Sequence, residues 1–292
     1  MSTSPAPPKC TLTWAQRRAV SRDTISRTEN ITIEHASQGA TMESTFIAEQ
    51  MSPLPPLATP DIQAHKAISV EIINLDSFTL ARQLIDEDPE NATGKVAVLN
   101  LASDALPGGG WDSTLTKTQE EALCYSSTLF RTLLPSYYPW PNTGPGSIAG
   151  VFSPGVVIFK HDLDHNCVDL PPSERRVVSV ITVAAPCGPE VIKTPDGEKF
   201  KYDSDLEDLR GKIKLVYRMA AWNGQKYLVL GAMGCGAYAC PPRVVAMEMR
   251  TILLDPEFKG RFTKVVFAVY SAPGNGVRNF GIFEEVFRGT EV

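Results

Sequence analysis

The sequence predicts an α/β fold in which helices cover a largely parallel or mixed sheet. Short apolar runs alternate with segments of helical periodicity from about residue 66 onward. Several apolar runs lack the two-residue alternation of a half-exposed strand, as expected for strands that are covered on both faces. The chain has 292 residues, and the even spread of its apolar runs predicts one large domain with a terminal extension.

The strands of this core are predicted from apolar runs that are bounded by turn-forming or polar residues. They are expected at Val70–Leu75, Val96–Ala102, Gly155–Lys160, Val177–Val183, Tyr227–Gly231 and Val265–Tyr270. Ligands of such sheets bind at the carboxyl ends of the strands, so the segments that follow these runs are where a site is expected.

The helices are predicted from apolar residues at helical spacing and from residues that end a helix. They are expected at Phe78–Ile85, Gln119–Leu134, Asp203–Trp222, Pro242–Leu254 and Phe280–Phe287. An earlier helical stretch lies near Trp14–Arg27, and the proline-rich segment 52–56 then interrupts regular structure. We therefore expect a disordered tail at residues 1–10, an extension at 11–66 that packs on the core, and the core itself at 67–292.

Composition and charge exclude several classes of protein. The net charge of −5, from 28 basic and 33 acidic residues, predicts no basic surface for nucleic acid or anionic lipid. No apolar run approaches the roughly 20 residues of a membrane helix. The N-terminus lacks the apolar core of a signal peptide, and the six cysteines are therefore expected to be reduced thiols of an intracellular protein.

A glycine loop follows the strand at Val96–Ala102. Gly108, Gly109 and Gly110 remove every side chain from this stretch, so backbone amides can approach an anion closely. Eight residues separate them from Gln119, where a helix begins. A triple glycine can also be a plain flexible turn, and Thr118 to Glu121 also forms a good capping box.

The helix that begins at Gln119 carries two neighbouring carboxylates, Glu120 and Glu121. Such a pair can divide its tasks. One carboxylate holds a sugar hydroxyl, while the other is kept protonated by burial or by its neighbour's charge and acts as a general acid. The combination of buried strand, triple glycine and paired carboxylates is more specific than any of these features alone, and it favours an acid/base site over a plain turn followed by a capped helix.

A second glycine loop, Gly231–Pro242, follows the strand at Tyr227–Gly231. It predicts another anion cradle at the same edge of the sheet, and Tyr238 in this loop is able to stack on a ring. Its alternative interpretation is a plain turn with Tyr238 in the core. Neither loop has the spacing of a Walker A or dinucleotide-binding motif.

These loops and their spacing resemble the poly(ADP-ribose) glycohydrolase family, whose core is a macrodomain. That family carries three glycines, six to eight residues and then Gln-Glu-Glu, which match Gly108–Gly110 and Gln119–Glu121 here. The segments Leu99–Ser103, Gly234–Tyr238 and Val266–Tyr270 are similar to the shorter type found in bacteria and filamentous fungi. The resemblance covers about residues 12–288 and implies a three-layer α/β/α sandwich with a mixed central sheet and an N-terminal helical extension.

The resemblance also implies roles for individual residues. Glu121 would be the catalytic acid/base, with Glu120 beside it fixing the ribose. The ligand-binding residues would be Gln119, Asn100, Ser103, Gly108, Gly109, Gly110, Gly234, Cys235, Gly236, Ala237, Tyr238 and Asp76. Among these, Tyr238 would lie near the distal ribose and Asp76 would bind adenine. The segment Trp111–Thr118 departs from the family because it has no glycine.

The resemblance implies hydrolysis of the ribose–ribose O-glycosidic bonds of poly(ADP-ribose), mainly from chain ends, with release of ADP-ribose. No metal or cofactor is expected. The implied partners are poly(ADP-ribose), ADP-ribose and ADP-ribosylated proteins, with no direct nucleic acid and no membrane. A monomer in the nucleus, the cytoplasm or both is expected.

Three other functions remain open from the residues. The first is a macrodomain that binds ADP-ribose without turnover. The second is metal chemistry at His161–Cys167, although its spacing fits no zinc pattern and a solvated loop is the favoured interpretation. The third is thiol catalysis by Cys235 or Cys187, for which the sequence offers no histidine partner.

Overall fold

The computed structural model describes residues 10–57, 67–195, 197–271 and 277–292. The tail predicted at residues 1–10 therefore lies outside the described residues except for Cys10, and so does the end of the predicted extension, residues 58–66.

Seven strands of the described residues form one sheet, in the order β1-β4-β5-β3-β8-β9-β2, and β6 pairs with β7 as a separate hairpin. The strands are β1 (Thr45–Ile47), β2 (Glu71–Ile73), β3 (Val96–Leu101), β4 (Gly150–Ile158), β5 (Arg176–Val183), β6 (Val191–Thr194), β7 (Gly197–Phe200), β8 (Tyr227–Leu230) and β9 (Lys264–Ala268). The run from β5 to β2 is parallel, whereas β4 and β1 are antiparallel to their neighbours. The predicted mixed sheet is confirmed.

All six predicted strands are present, but β4 begins at Gly150 rather than Gly155. The prediction was wrong there because Pro154 interrupts the apolar run. The sheet accommodates this proline with a register shift between Ser153 and Val156. Strand β1 was not predicted because it has only three residues. The hairpin β6–β7 was not predicted because its strands are largely exposed and carry no apolar run.

The helices are α1 (Trp14–Glu34), α2 (Ser77–Glu87), the single turn α3 (Pro89–Ala92), α4 (Gln119–Ser126), α5 (Asp203–Trp222), α6 (Pro242–Leu253) and α7 (Val277–Phe287). The helix predicted to reach Leu134 is therefore wrong in length. At Ser127 the backbone is extended, and its hydroxyl donates to Leu123 O at 2.7 Å and accepts from Leu129 N at 3.1 Å. These local hydrogen bonds compete with continuation of the helix.

Two apolar cores lie on opposite faces of the sheet. Successive residues of β3 alternate between them, with Ala97 and Leu99 in the core under α5, α6 and α7, and Val96 and Val98 in the core under α2 and α4. Burial of both faces explains why β3 reads as a continuous apolar run. The three-layer α/β/α arrangement is confirmed.

Residues 11–57 contact the core at several points. The hydroxyl of Thr24 in α1 donates to Tyr125 O at 2.9 Å, and β1 pairs with β4. Further along, Arg218 of α5 donates to Met51 O at 2.6 Å. In the described part of the chain, no helix is long and apolar enough to cross a membrane.

Candidate active site

A cavity of about 840 Å³ lies at the carboxyl ends of the parallel strands. Its walls include Asp76 after β2, Ser103 after β3, Gly234 after β8 and Tyr270 after β9. In open α/β sheets, ligands bind at this edge, outside the carboxyl ends of the strands. Both glycine loops and the head of α4 meet there.

Gln119, the first residue of α4, takes the position of a missing strand segment. Pairing of β3 with β8 extends to Val98, and beyond it the side-chain amide of Gln119 accepts from Leu101 N at 2.9 Å and donates to Leu99 O at 2.8 Å. The amide thus satisfies two backbone groups of β3 that would otherwise lack partners at the sheet edge. This contact fixes the start of α4 against the sheet.

Glu120 is only 2% exposed, and it accepts Ser103 N–H at 2.8 Å and the amide of Asn100 at 3.1 Å. Burial raises the pKa of this carboxyl to about 8, and the charges of Glu121 and Asp104 add to the increase against the opposing effect of those two hydrogen bonds. Burial therefore favours the protonated form of Glu120 near neutral pH.

Glu121 lies beside it and is 3% exposed. Its Oε2 accepts the backbone N–H and the hydroxyl of Thr118 at 3.0 and 3.1 Å, which completes the predicted capping box. Its Oε1 accepts the hydroxyl of Thr114 at 3.0 Å. The same hydroxyl has Gly110 O at 3.0 Å as an alternative acceptor, so it is able to release Glu121 Oε1 by rotation.

The triple glycine is required by its backbone and by its neighbours. Gly108, Gly109 and Gly110 have φ values of +61°, +61° and +73°, a succession that residues with side chains rarely adopt. A Cβ on Gly109 would lie 3.2 Å from Glu120 Oε2 and 3.8 Å from Glu121 Oε1. The loop backbone therefore forms a surface directly against the carboxylate pair.

The second loop packs tightly at its base and opens at its tip. A Cβ on Gly234 would lie 2.6 Å from the Cβ of Ala185, whereas one on Gly236 would meet nothing within 4 Å. At the tip, the hydroxyl of Tyr238 donates to Asp104 Oδ1 at 2.8 Å. Because Asp104 directly follows Ser103, this bond ties the second loop to the segment that holds Glu120.

The pair Asp104–Tyr238 has further support from beneath the cavity. The amide of Asn142 donates to Asp104 Oδ1 at 2.8 Å, and its oxygen accepts Cys187 N–H at 2.7 Å. The ammonium of Lys212, which is fully buried, donates to the carbonyl of Asn142, and burial lowers the pKa of this lysine to about 8. These hydrogen bonds link the exits of β3 and β5 to the second loop.

Asp76 lies at the opposite end of the cavity. It caps α2 by accepting Thr79 N–H at 2.8 Å, and burial together with the charge of Asp162 raises its pKa to about 6. Asp162 is buried, accepts the hydroxyl of Thr79 at 2.8 Å and accepts from His165 Nδ1 at 2.7 Å. The segment 161–167 is therefore a packed wall rather than the solvated loop that was expected.

Of the residues assigned to the site, most line the cavity: Asp76, Ser103, Gly109, Gln119, Glu120, Glu121, Gly234, Gly236, Ala237 and Tyr238. Four do not belong to its wall: Asn100, Gly108, Gly110 and Cys235. Asn100 is fully buried and supports Glu120 from behind. Burial raises the pKa of the Cys235 thiol well above its usual value and also raises that of Cys187, which opposes a reactive thiolate at either position.

The geometry agrees with comparisons to known proteins. The family model described as the catalytic domain of microbial-type PARG matches residues 18–161. The crystal structure of poly(ADP-ribose) glycohydrolase from Deinococcus radiodurans in complex with ADP-ribose is 31% identical, covers 75% of this chain and 83% of its own, and has a TM-score of 0.62. The chain belongs to the poly(ADP-ribose) glycohydrolase family. This confirms the resemblance drawn from the glycine loops and the glutamate pair.

A second member of the poly(ADP-ribose) glycohydrolase family extends the match over nearly the whole chain. The enzyme from Thermomonospora curvata bound to the inhibitor ADP-HPD is 26% identical, covers 93% of this chain and 99% of its own, and has a TM-score of 0.69. No relative among curated sequences shows a significant match.

Within this glycohydrolase fold, several residues that line the cavity or hold its residues in place were not predicted from the sequence. They are Asp104, Thr114, Asn142, Lys117 and Tyr270. Asp162 and Asp164, which also line the cavity, lie in the segment His161–Cys167 that was considered only for metal chemistry. Asp104 directly follows the segment Leu99–Ser103, and Thr114 lies shortly before Gln119–Glu121, so both could have been predicted from their position beside these motifs. Asn142 had no local signal, because its role depends on contacts with residues that are distant along the chain. Among the described residues, no group of three or more His, Cys, Asp and Glu is arranged to hold a metal ion.

Proposed function

We propose that this protein hydrolyses the ribose–ribose O-glycosidic bonds of poly(ADP-ribose) and releases ADP-ribose. The observation that carries the proposal is the buried pair Glu120 and Glu121 at the head of α4, in contact with the triple-glycine loop. Membership of the glycohydrolase family supports the same activity, since relatives hold ADP-ribose and the inhibitor ADP-HPD.

We assign the role of acid/base to Glu121. It would protonate the leaving ribose oxygen as positive charge develops on the sugar, and would then take a proton from the attacking water. Rotation of the Thr114 hydroxyl toward Gly110 O leaves Glu121 Oε1 free to carry that proton. The first loop would hold the ribose and diphosphate, because its backbone lies against both carboxylates.

Glu120 has a different role in this mechanism. Since its pKa is about 8, it is neutral at pH 7 and is able to donate a hydrogen bond to a ribose hydroxyl. A neutral Glu120 also places no negative charge beside the diphosphate. Asn100 and Ser103 N–H fix its orientation.

The remaining parts of the ligand follow from the shape of the cavity. The second loop, with Gly234, Gly236 and Ala237, would wrap the diphosphate, while Tyr238 would face the distal ribose. Asp76, at the far end, would accept from the amino group of adenine. A cavity of about 840 Å³ is large enough for one ADP-ribose unit, a ligand of dinucleotide size, which supports action mainly at chain ends.

The proposed substrates include poly(ADP-ribose) attached to ADP-ribosylated proteins. We propose a monomer that acts in the nucleus, the cytoplasm or both.

The substitution Glu121→Gln tests the proposal. It keeps the shape of the side chain but cannot donate or accept the catalytic proton, so release of ADP-ribose from purified polymer should fall by about 10²-fold or more. Glu87→Gln is the matched control, because Glu87 is an exposed glutamate at the end of α2, away from the cavity.

Binding of ADP-ribose, measured by calorimetry on the same proteins, completes the test. Wild-type protein that binds ADP-ribose but never cleaves polymer would be a reader rather than an enzyme. A folded Glu121→Gln protein that releases ADP-ribose at the wild-type rate would contradict the assignment of Glu121.

A further inference from the structure

The first turn of α1 lies along the rim of the cavity. Cys10, four residues before α1 begins, lines the cavity wall. On the other side, the guanidinium of Arg17 donates to Leu115 O at 2.7 Å, in the loop that carries Lys117. Lys117 also lines the cavity and directly precedes Thr118, the N-cap of α4. Cys10 N–H donates to Asp164 Oδ1 at 3.0 Å, on the Asp76 side of the cavity, so the segment from Cys10 to Arg17 runs along the rim from that wall to the loop that precedes Glu121.

Cationic side chains accumulate on this rim, although the cavity itself is acidic. Within the described wall, Lys117 is the one lysine or arginine, against the five carboxylates of Asp76, Glu120, Glu121, Asp162 and Asp164. Lys117 is exposed and forms no ion pair with a described carboxylate. Arg17 donates to the backbone carbonyls of Leu115 and Leu12, and no carboxylate in the described part of the chain forms an ion pair with it.

An exposed aromatic ring accompanies these charges. Trp14, the first residue of α1, is 48% exposed, and the guanidinium of Arg18 lies 4.1 Å from the centroid of its indole ring. A large aromatic ring on the surface that is braced by a cation is the kind of platform on which nucleobases stack. The positive end of the α1 dipole lies at the same place.

We propose that Trp14, Arg17, Arg18 and Lys117, the α1 rim, bind the ADP-ribose unit that precedes the terminal one in the polymer. This inference rests on the proposed function. The bond cleaved at Glu121 joins the terminal ribose to the next unit, so that unit leaves the cavity beside Lys117. Its negatively charged diphosphate would pair with the cations of the rim, and its adenine would stack on the indole of Trp14. The rim thereby selects polymer over free ADP-ribose.

The experiment compares two ligands in proteins that carry Glu121→Gln to prevent cleavage. Trp14→Ala and Arg18→Ala, alone and together, are measured for binding to free ADP-ribose and to size-fractionated polymer. Loss of stacking and charge should weaken polymer binding by roughly tenfold and leave ADP-ribose binding within about twofold of the parent protein. Trp222→Ala and Arg288→Ala are the matched controls, since Trp222 is 47% exposed on α5 and Arg288 is exposed near the C-terminus.

Three further measurements make the outcome decisive. Arg18→Lys, which keeps the charge, should retain more polymer binding than Arg18→Ala. Polymer binding by the parent protein should also weaken with salt more steeply than polymer binding by the double variant.

Unchanged polymer affinity in the double variant, or equal losses for both ligands, would overturn the inference while the proposed function stands. Equal losses for single-stranded RNA would also overturn it, because the rim would then be a general polyanion surface. A parent protein that binds neither ADP-ribose nor polymer would overturn the proposed function itself.

Discussion

Glu120 and Glu121 show how neighbouring residues of one type acquire different chemistry. Both carboxyls are buried, but Glu120 lies between Asn100 and the backbone of Ser103, whereas Glu121 closes a capping box at the first turn of α4. The adjacent positions were evident in the sequence, and with them the expectation that the pair divides its tasks. The hydrogen-bond donors of Glu120 were not evident from the sequence, because Asn100 and Ser103 lie at the end of β3 and not beside Glu120 in the chain.

The pKa of Glu120 predicts a pH dependence of stability. Between the ordinary glutamate value of 4.5 and about 8, the folded protein binds a proton that the unfolded chain releases. The associated stability is complete at low pH and is lost as the pH rises through this window. Urea unfolding of the wild type should therefore give a free energy of unfolding that declines from pH 5 to 8.5.

Glu120→Gln removes the titrating proton and should flatten that decline. The comparison isolates Glu120 from Asp76, whose raised pKa of about 6 contributes to the same slope in both proteins. An identical slope in the variant and the wild type would show that Glu120 titrates normally.

The kcat/KM for polymer should likewise fall above pH 8 in the wild type, because Glu120 then loses its proton.

The triple-glycine loop and α4 act as one unit. The loop was predicted from its sequence, as was the start of α4, because capping residues and glycines have strong local preferences. The end of α4 was wrong, since the apolar pattern continues beyond Ser126 while Ser127 pairs with β4. Local sequence therefore predicted the catalytic end of this helix better than the end that is fixed by tertiary contacts.

Gly109→Ala tests how closely the loop must approach the pair. A methyl group there would lie 3.2 Å from Glu120 Oε2 on a backbone with φ of +61°, so we expect a loss of about 1–3 kcal/mol in stability and a large fall in kcat. Gly94→Ala is the control, because Gly94 also has positive φ, +72°, but nothing lies within 4 Å of its added Cβ. A similar fall in kcat for both variants would show that backbone strain alone accounts for the effect.

The N-terminal segment, residues 11–57, contacts the rest of the molecule at several places, and one of them is a mostly buried ion pair. The guanidinium of Arg218 binds Met51 O and both carboxylate oxygens of Glu257, and Glu257 also accepts Leu54 N–H at 3.0 Å. The side chains of Arg218 and Glu257 are only 8% and 12% exposed. No sequence pattern indicated this anchor, because its members are scattered along the chain and have no common motif.

Arg218→Ala should destabilise the whole fold by about 2–4 kcal/mol, since it leaves the mostly buried carboxylate of Glu257 without its partner. Arg243→Ala is the matched control, because its pair with Glu285 is 39% and 55% exposed and such pairs contribute about 1 kcal/mol or less. Urea unfolding measures both variants. Equal, small losses would mean that the segment around Met51 is not anchored through Arg218.

The order of the strands fixes the distance between the two ends of the cavity. The carboxylate pair lies at the exit of β3 and Asp76 lies at the exit of β2, with β8 and β9 between them. Three strand spacings of about 4.8 Å separate the two exits, so the two ends of the cavity are roughly 14 Å apart. A ligand that reaches both ends must have about that length. A lone adenosine or a lone ribose phosphate is too short, whereas a dinucleotide-sized molecule with a diphosphate at its centre spans the interval.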